Sequence, residues 1–519
     1  MIYLILVFVW PLINYLQVNL EKINQYNDVF VILFILILIA CVIYIVIKKL
    51  CKKSIDAFLL PIFMVVYLFF SYSQIVDMIG THKIANFNLK ASYVYLMFVF
   101  LLLWISYKIS SRTDVKKVSK IFILIVFGSS IISLCIKSIS QLNDKHNVII
   151  EKILYEYTFK HKPNVYYILL DAYGRQDILR EIMDYDNEPF LKNLEELGFV
   201  VSRKARSNYH FTVASLSATM NMSYHRYNVE NIVPYKQMRF SLWGDNLVRK
   251  LFKANGYIIV NIPSHWHEMS CLGYEDFCIN NKSYEIYESF LSITPLNVLI
   301  SFLHFVKYAN YFVKYVDFES VVNAFYLSPA KPKFIFAHFA QIHDTVFNEH
   351  GKFNNKKNPI FTGGPDNIKD RSYIYSIKAI NLQLIKFIQD LKKKDSNAII
   401  ILQADHGVPF GETLISYGHE YCLKNQRNVC LTNKQFFNYR FGIFSAIYFP
   451  KYDHDHGHDL YFKMKEYFSG EFTLVNTFRY IFAYLSDSSP DLLANKSHFL
   501  YNYGESLDYK EINIEHLLD

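Results

Sequence analysis

The sequence predicts two parts: an N-terminal bundle of about five transmembrane helices, then an α/β domain layered around a mostly parallel sheet. Three observations predict this. Apolar segments of near-bilayer length fill residues 1–137. From about residue 150, short apolar runs alternate with amphipathic stretches. The runs also end on polar residues: Asp171 after VYYILL, and Asp405 and His406 after AIIILQA.

The apolar segments are Ile2–Val18, Val29–Ile47, Ile55–Val76, Ala91–Ile109 and Val118–Ile136. Several approach the ~20 residues needed to cross a bilayer. Asn14, Gln17 and Pro11 make the first the least typical. No cation precedes it and no small-residue cleavage site follows, so a cleaved signal peptide is not expected.

Charge predicts the orientation. Lys48, Lys49, Lys52 and Lys53 follow the second segment; Lys108, Arg112, Lys116, Lys117 and Lys120 follow or begin the connection after the fourth. The other connections hold only Lys22, Lys83 and Lys90. Cation-rich connections stay in the cytoplasm, so five spans leave everything after about residue 137 outside. Nine cations against Asp114 in these two loops match the net charge of +8. The basic balance then reflects topology, and no nucleic-acid partner is expected.

Cysteines agree with an exterior domain. Cys41, Cys51 and Cys135 lie in or beside spans, whereas Cys271 with Cys278 and Cys422 with Cys430 form local pairs. Such pairs suit disulfides in an oxidising compartment. A Cys₄ zinc site is the rival reading, but C-x-x-C spacing is absent.

Residues 138–162 read as a linker, and 163–519 as the exterior domain. VYYILL, YIIVNIPSH, KFIFAHFAQ, AIIILQ and FSAIYFP read as strands. Helices are expected near 175–197, 212–222 and Ile377–Lys394. Apolar runs without alternation suit strands buried on both faces of a parallel sheet. The aromatic stretch 280–330 reads as membrane-facing helices or a helical insertion, the latter preferred. YDHDHGHD reads as a solvated loop.

Ligands collect where parallel strands end. Asp171, Asp405, His406 and the Thr212 hydroxyl would there form a mixed N/O set able to hold one divalent metal, Zn or Mn, with Thr212 as nucleophile. Arg175 is a candidate phosphate ligand, and Asn208 and Tyr209 candidate pocket residues. His338, inside FAHF, reads as a buried, hydrogen-bonded histidine.

The ordered segments NVYYILLDAYGRQD, NYHFTVASLSATMNM, FIFAHFAQIHDTVF, IIILQADHG and LVNTFRYIF resemble the sulfatase-like branch of the alkaline phosphatase superfamily. Five spans before an exterior domain are similar to its membrane phosphoethanolamine transferases and lipoteichoic acid synthases. The resemblance implies an alkaline-phosphatase-like α/β/α sandwich. It implies metal ligation by Asp171, Asp405, His406 and Thr212, with Thr212 in a Thr-x-x-Ser pattern as nucleophile. It implies that His343 contacts the phosphoryl or leaving group, and that His419 is a downstream site histidine. The activity implied is transfer of a phosphoethanolamine or phosphoglycerol unit from a membrane phospholipid to a surface glycan or lipid, in a bacterial inner membrane with the domain periplasmic. Extracytoplasmic ester hydrolysis is the alternative.

One departure narrows the chemistry. True sulfatases oxidise the Cys or Ser of C/S-x-P-x-R to formylglycine. Here the stretch is Thr212-Val213-Ala214-Ser215-Leu216, without that Pro or Arg. Sulfate-ester hydrolysis by that route is not expected.

Overall fold

The computed structural model describes residues 1–19, 26–50, 55–72, 75, 91–109, 112–143, 157–225, 233, 235–271, 273–279, 290–291, 293–296, 315–328, 330–353, 371–409, 414–417, 420–423, 426–450, 455–502, 509–514 and 518. The chain divides into two compact units, residues 1–148 with 283–312, and residues 149–282 with 313–519.

The first unit is helical: α1 (Ile2–Asn19), α2 (Tyr26–Leu50), α3 (Leu59–Phe70), α4 (Ala91–Ile109) and α5 (Thr113–Asn143). Each expected apolar segment is thus largely or partly helical. Among the described residues, two helices are long and apolar enough to cross a membrane, Val29–Lys49 and Thr113–Ile136; Ile2–Gln17 and Leu59–Phe70 are apolar but shorter. Leu4, Val7, Leu36, Phe63 and Ile123 pack together, while Phe30, Phe34, Phe100 and Ile125 are exposed. Apolar faces on both sides of a helix suit a lipid surround. The polar residues of α1 pair internally. Trp10 Nε1 donates to Ser130 Oγ at 3.2 Å, and Gln17 Nε2 to Ser133 Oγ at 2.6 Å. Such bonds tie helices where no water competes. Phe290 joins this unit, packing against Tyr15 and Phe70. Of the stretch 280–330, residues 283–312 fall in this unit and the remainder in the second.

The second unit is an α/β domain. Its chain order is β1 (Val165–Leu170), α6 (Gln176–Met183), α7 (Glu188–Glu196), β2 (Val200–Val201), α8 (Thr212–Asn221), α9 (Tyr235–Trp243), α10 (Leu247–Ala254), β3 (Ile258–Ile262), β4 (Phe277–Cys278), β5 (Lys333–Phe339), α11 (Ser372–Lys394), β6 (Ile399–Gln403), β7 (Leu414–Tyr417), β8 (Glu420–Leu423), β9 (Gln426–Thr432), α12 (Asn433–Phe441), β10 (Ser445–Tyr448), α13 (Asp455–Ser469), α14 (Thr477–Ser486), β11 (His498–Asn502) and β12 (Tyr509–Asn513). The main sheet runs β2-β10-β6-β1-β5-β3-β4. β6, β1, β5, β3 and β4 pair in parallel, and β10 pairs antiparallel with β6 and β2. β1, β5 and β6 are buried along their whole length, as their unbroken apolar runs require.

One segment differs from expectation. The His-rich stretch is not all loop, because α13 begins at Asp455. β7, β8 and β9 form an antiparallel sheet that places Cys422 opposite Cys430 in the β8–β9 register. Cys271 and Cys278 are joined in a disulfide.

Candidate active site

Three adjacent strand ends build the site. β1 hands over to Asp171, whose N–H donates to Phe339 O at 3.0 Å, fixing it to the end of β5. Ala172 then takes a left-handed φ of 61°, a strained conformation for a residue with a Cβ. That turn aims the Ala172 N–H at Asp405 Oδ1, 3.2 Å away. Tyr373 of α11 clamps it, its hydroxyl donating to Ala172 O at 2.7 Å and accepting from Gly174 N at 3.0 Å. Gly407 follows Asp405-His406 because a Cβ there would overlap the carbonyl oxygens of Tyr439 and Gly442.

Asp171, Asp405 and His406 are all buried. His406 Nε2 lies 3.5 Å from Asp171 Oδ1 and 3.7 Å from Asp405 Oδ2. His406 Nδ1 lies 2.9 Å from Gly407 O. A carbonyl only accepts, so Nδ1 carries the proton and Nε2 presents its lone pair to the carboxylates. Burial, then Arg440 and His343, push the His406 pKa well below its usual value, keeping the ring neutral. Asp171 Oδ1 and Asp405 Oδ2 are buried without a hydrogen-bond partner. Burial, and then Asp405, raise the Asp171 pKa well above 3.8.

Three lone pairs converging in a dry site repel one another unless a cation lies between them. Ligand atoms around a tetrahedral zinc at ~2.0–2.2 Å stand roughly 3.3–3.6 Å apart, close to the spacings seen here. The residues therefore fit a divalent metal. His343 is the next neighbour: a ring nitrogen of His343, one of His406 and an Asp171 oxygen all fall within 4.8 Å of one another.

His338 on β5 supports this set. Its Nε2 donates to Asp171 Oδ2 at 3.1 Å, and its Nδ1 accepts from Ser264 Oγ at 2.7 Å. Burial lowers its pKa to about 4, so it is a neutral donor. It holds one carboxylate oxygen and leaves the other free, as outer partners of metal sites do.

Thr212 opens α8, a helix whose residues from Thr212 to Met220 are all buried. The cap residue is Phe211, with no side-chain cap, so the Thr212 hydroxyl does not serve the helix end. The preceding His210 carbonyl accepts from Arg440 Nε at 2.6 Å. The half-buried Arg440 guanidinium feels Asp405 and Asp171, which ties the loop before Thr212 to the metal-binding set. Arg440 was missed in the sequence; its only signal there was a lone cation just before strand β10.

The two expected substrate residues are engaged within the protein. The Arg175 guanidinium makes two bonds to Asp177, at 2.7 and 2.8 Å, and one to Ala205 O at 3.3 Å. It is an internal brace of α6. Asn208 Oδ1 accepts from Val475 N at 2.6 Å, and its Nδ2 donates to Lys496 O at 2.8 Å. Its polar atoms staple the loop before α8. His419 lies outside the described residues.

Solved structures and a family model match this chain. The chain is similar to the C-terminal periplasmic domain of a phosphoethanolamine transferase from Campylobacter jejuni, at 14% identity and TM-score 0.40, over 66% of this chain and 98% of that one. It is similar to the integral membrane lipooligosaccharide phosphoethanolamine transferase A from Neisseria meningitidis, at 13% and 0.40, over 94% and 95%. It is also similar to an alkaline phosphatase superfamily protein from Vibrio parahaemolyticus, at 15% and 0.39, over 66% and 75%. No curated protein sequence matches. The sulfatase family model matches residues 163–458, more than half of the chain and every strand end that carries a site residue. The protein therefore belongs to the sulfatase family, and is a sulfatase-like enzyme.

Proposed function

We propose that this enzyme is a membrane-bound phosphotransferase. It moves a phosphoethanolamine or phosphoglycerol unit from a phospholipid to a surface glycan or lipid through a phospho-threonine on Thr212. The carrying observation is the convergence of the His406 Nε2 lone pair with the orphaned oxygens of Asp171 and Asp405. Asp171, Asp405 and His406, with the Thr212 oxygen, would hold one zinc or manganese. The chemistry such an ion supplies is a lowered pKa for the Thr212 hydroxyl and charge offset on the phosphoryl oxygens.

The Thr212 oxygen attacks phosphorus, a new P–O bond forms, and the bond to the diacylglycerol oxygen breaks on the opposite side. His343 gives the departing oxygen its proton. Burial lowers the His343 pKa, but Asp171 and then the bond and charge of Asp344 outweigh it, and the net shift is upward. In the second step the acceptor hydroxyl returns a proton to His343 and its oxygen attacks phosphorus, the P–O bond to Thr212 breaks, and Thr212 leaves as the alkoxide that attacked in the first step. Arg440 adds positive charge beside the carboxylates.

The helices Val29–Lys49 and Thr113–Ile136 support a membrane setting. The cation-rich connections favour an inner membrane with the catalytic domain periplasmic. A lipid donor then replaces a nucleotide one. Hydrolysis by the same site remains the second reading, since water can take the acceptor's place. Membranes holding the enzyme are incubated with head-group-labelled phosphatidylethanolamine and phosphatidylglycerol. Label moving to a second lipid or glycan, with diacylglycerol released, supports transfer; label released only as free phospho-head-group makes the enzyme a hydrolase.

A further inference from the structure

The residue after the candidate acid is a second acid, held by several partners near the site. Asp344 is 3% exposed. Its Oδ1 accepts from His343 Nδ1 at 3.2 Å. Its Oδ2 accepts from the Tyr315 hydroxyl at 3.1 Å and lies 3.4 Å from His265 Nε2. The other face of His343 is closed by Trp266, whose ring meets it edge-on at 4.7 Å and 89°. Trp266, His265 and Tyr315 come from distant stretches of the chain, and all converge on these two neighbours.

The backbone explains how adjacent residues serve one another. A tight turn follows β5, with Asp344 N donating to Ala340 O at 2.9 Å and Thr345 N to Ile342 O at 3.1 Å. Thr345 leaves the turn at φ 52°, costly for a β-branched residue. Strain kept at such a place marks a geometry that the surroundings impose.

We propose that Asp344 is the positioning residue for His343, fixing its ring and tautomer so that Nε2 faces the Asp171–His406 metal-binding set. A carboxylate accepts only, so Nδ1 must carry a proton. Nε2 is left as the one nitrogen able to reach the reacting group, and a ring nitrogen of His343 lies within 4.8 Å of ligand atoms of Asp171 and His406. His265 and Tyr315 hold the carboxylate against rotation. An imidazole fixed in this way needs no reorientation when the leaving oxygen departs. The proposal rests on the reading of His343 as proton donor.

The test uses the full-length, metal-loaded enzyme and two diesters with the same phosphoryl unit. One leaves as 4-nitrophenolate, which needs little protonation; the other leaves as an alkyl alkoxide, which needs it fully. Asp344→Asn should cut kcat on the alkyl substrate about 10²-fold, and at least ten-fold less on the nitrophenyl one, with Asp344→Glu recovering part of the loss. Equal losses on both substrates, with His343→Ala still discriminating between them, would overturn the proposal. If His343→Ala hits both equally, the proton-donor reading falls instead. The positioning claim is then read from ¹⁵N shifts of the His343 ring: Nδ1-protonated in the native enzyme, a tautomer mixture in Asp344→Asn. Identical shifts in both would end it.

Discussion

Asp171 and His338 are joined by a 3.1 Å hydrogen bond from Nε2 to Oδ2, and both side chains are fully buried. The bond holds one oxygen of Asp171 and leaves the other for a metal. Removing it should loosen the carboxylate without removing a ligand. His338→Ala is expected to weaken metal affinity roughly 10–100-fold, measured by competition with a chromogenic chelator. An unchanged affinity would show that Asp171 is held by other means.

Thr212→Ala should abolish turnover and leave the fold intact. The hydroxyl caps no helix, and loss of its methyl and hydroxyl at one buried position costs only about 1 kcal/mol. The check is kcat beside the thermal melting curve. Activity near the native level would move the nucleophile to Ser215, which is buried with its Oγ unpartnered.

Purified enzyme should contain about one zinc or manganese ion per chain, lost on Asp405→Ala, by elemental analysis. Asp405 Oδ2 has no other buried partner to keep it in place. Full activity after exhaustive chelation would rule out the metal-dependent reading.

Chelation should also invert the effect of Asp171→Asn on stability. The Asp171 pKa is raised in the fold, by burial and then by Asp405. Stability from such a group is fully present below 3.8 and is lost as pH rises through the folded value. At pH 7 the metal-free native protein therefore carries a cost of about 1–3 kcal/mol that Asp171→Asn lacks. The variant should melt higher than the native protein in chelator, and lower in saturating metal. A variant less stable in both would mean that Asp171 is not an uncompensated charge.

The catalytic unit should face away from the cytoplasm. Reporters fused after His146, one active only outside and one only inside, test this. An impermeant maleimide on a Cys placed among residues 354–358 in whole cells tests it separately. Labelling only after lysis would remove the lipid-donor mechanism.

Much of this protein was legible in its residue order. VYYILL, FIFAHF and IIILQ announce strands buried on both faces, because no alternation of polar residues breaks them. Such strands pair in parallel and end together, so Asp171, Asp405 and His406 could be placed at one sheet edge before any coordinates. The apolar helices and cation-rich connections were legible for an equally local reason, since length and charge are read along the chain. What the order of residues could not decide was which polar group each side chain would spend itself on. Arg175 and Asn208 had the right type and neighbourhood for substrate, but packing committed them to Asp177, Val475 and Lys496. Arg440 looked like any surface cation, and only the fold brought it back to His210, 230 residues earlier. Tyr373 reaches the turn after Asp171 across 201 residues, and Tyr315 and His265 reach Asp344 from outside its own segment. Those partnerships depend on distances between side chains after the core has closed, and no periodicity along the sequence encodes them.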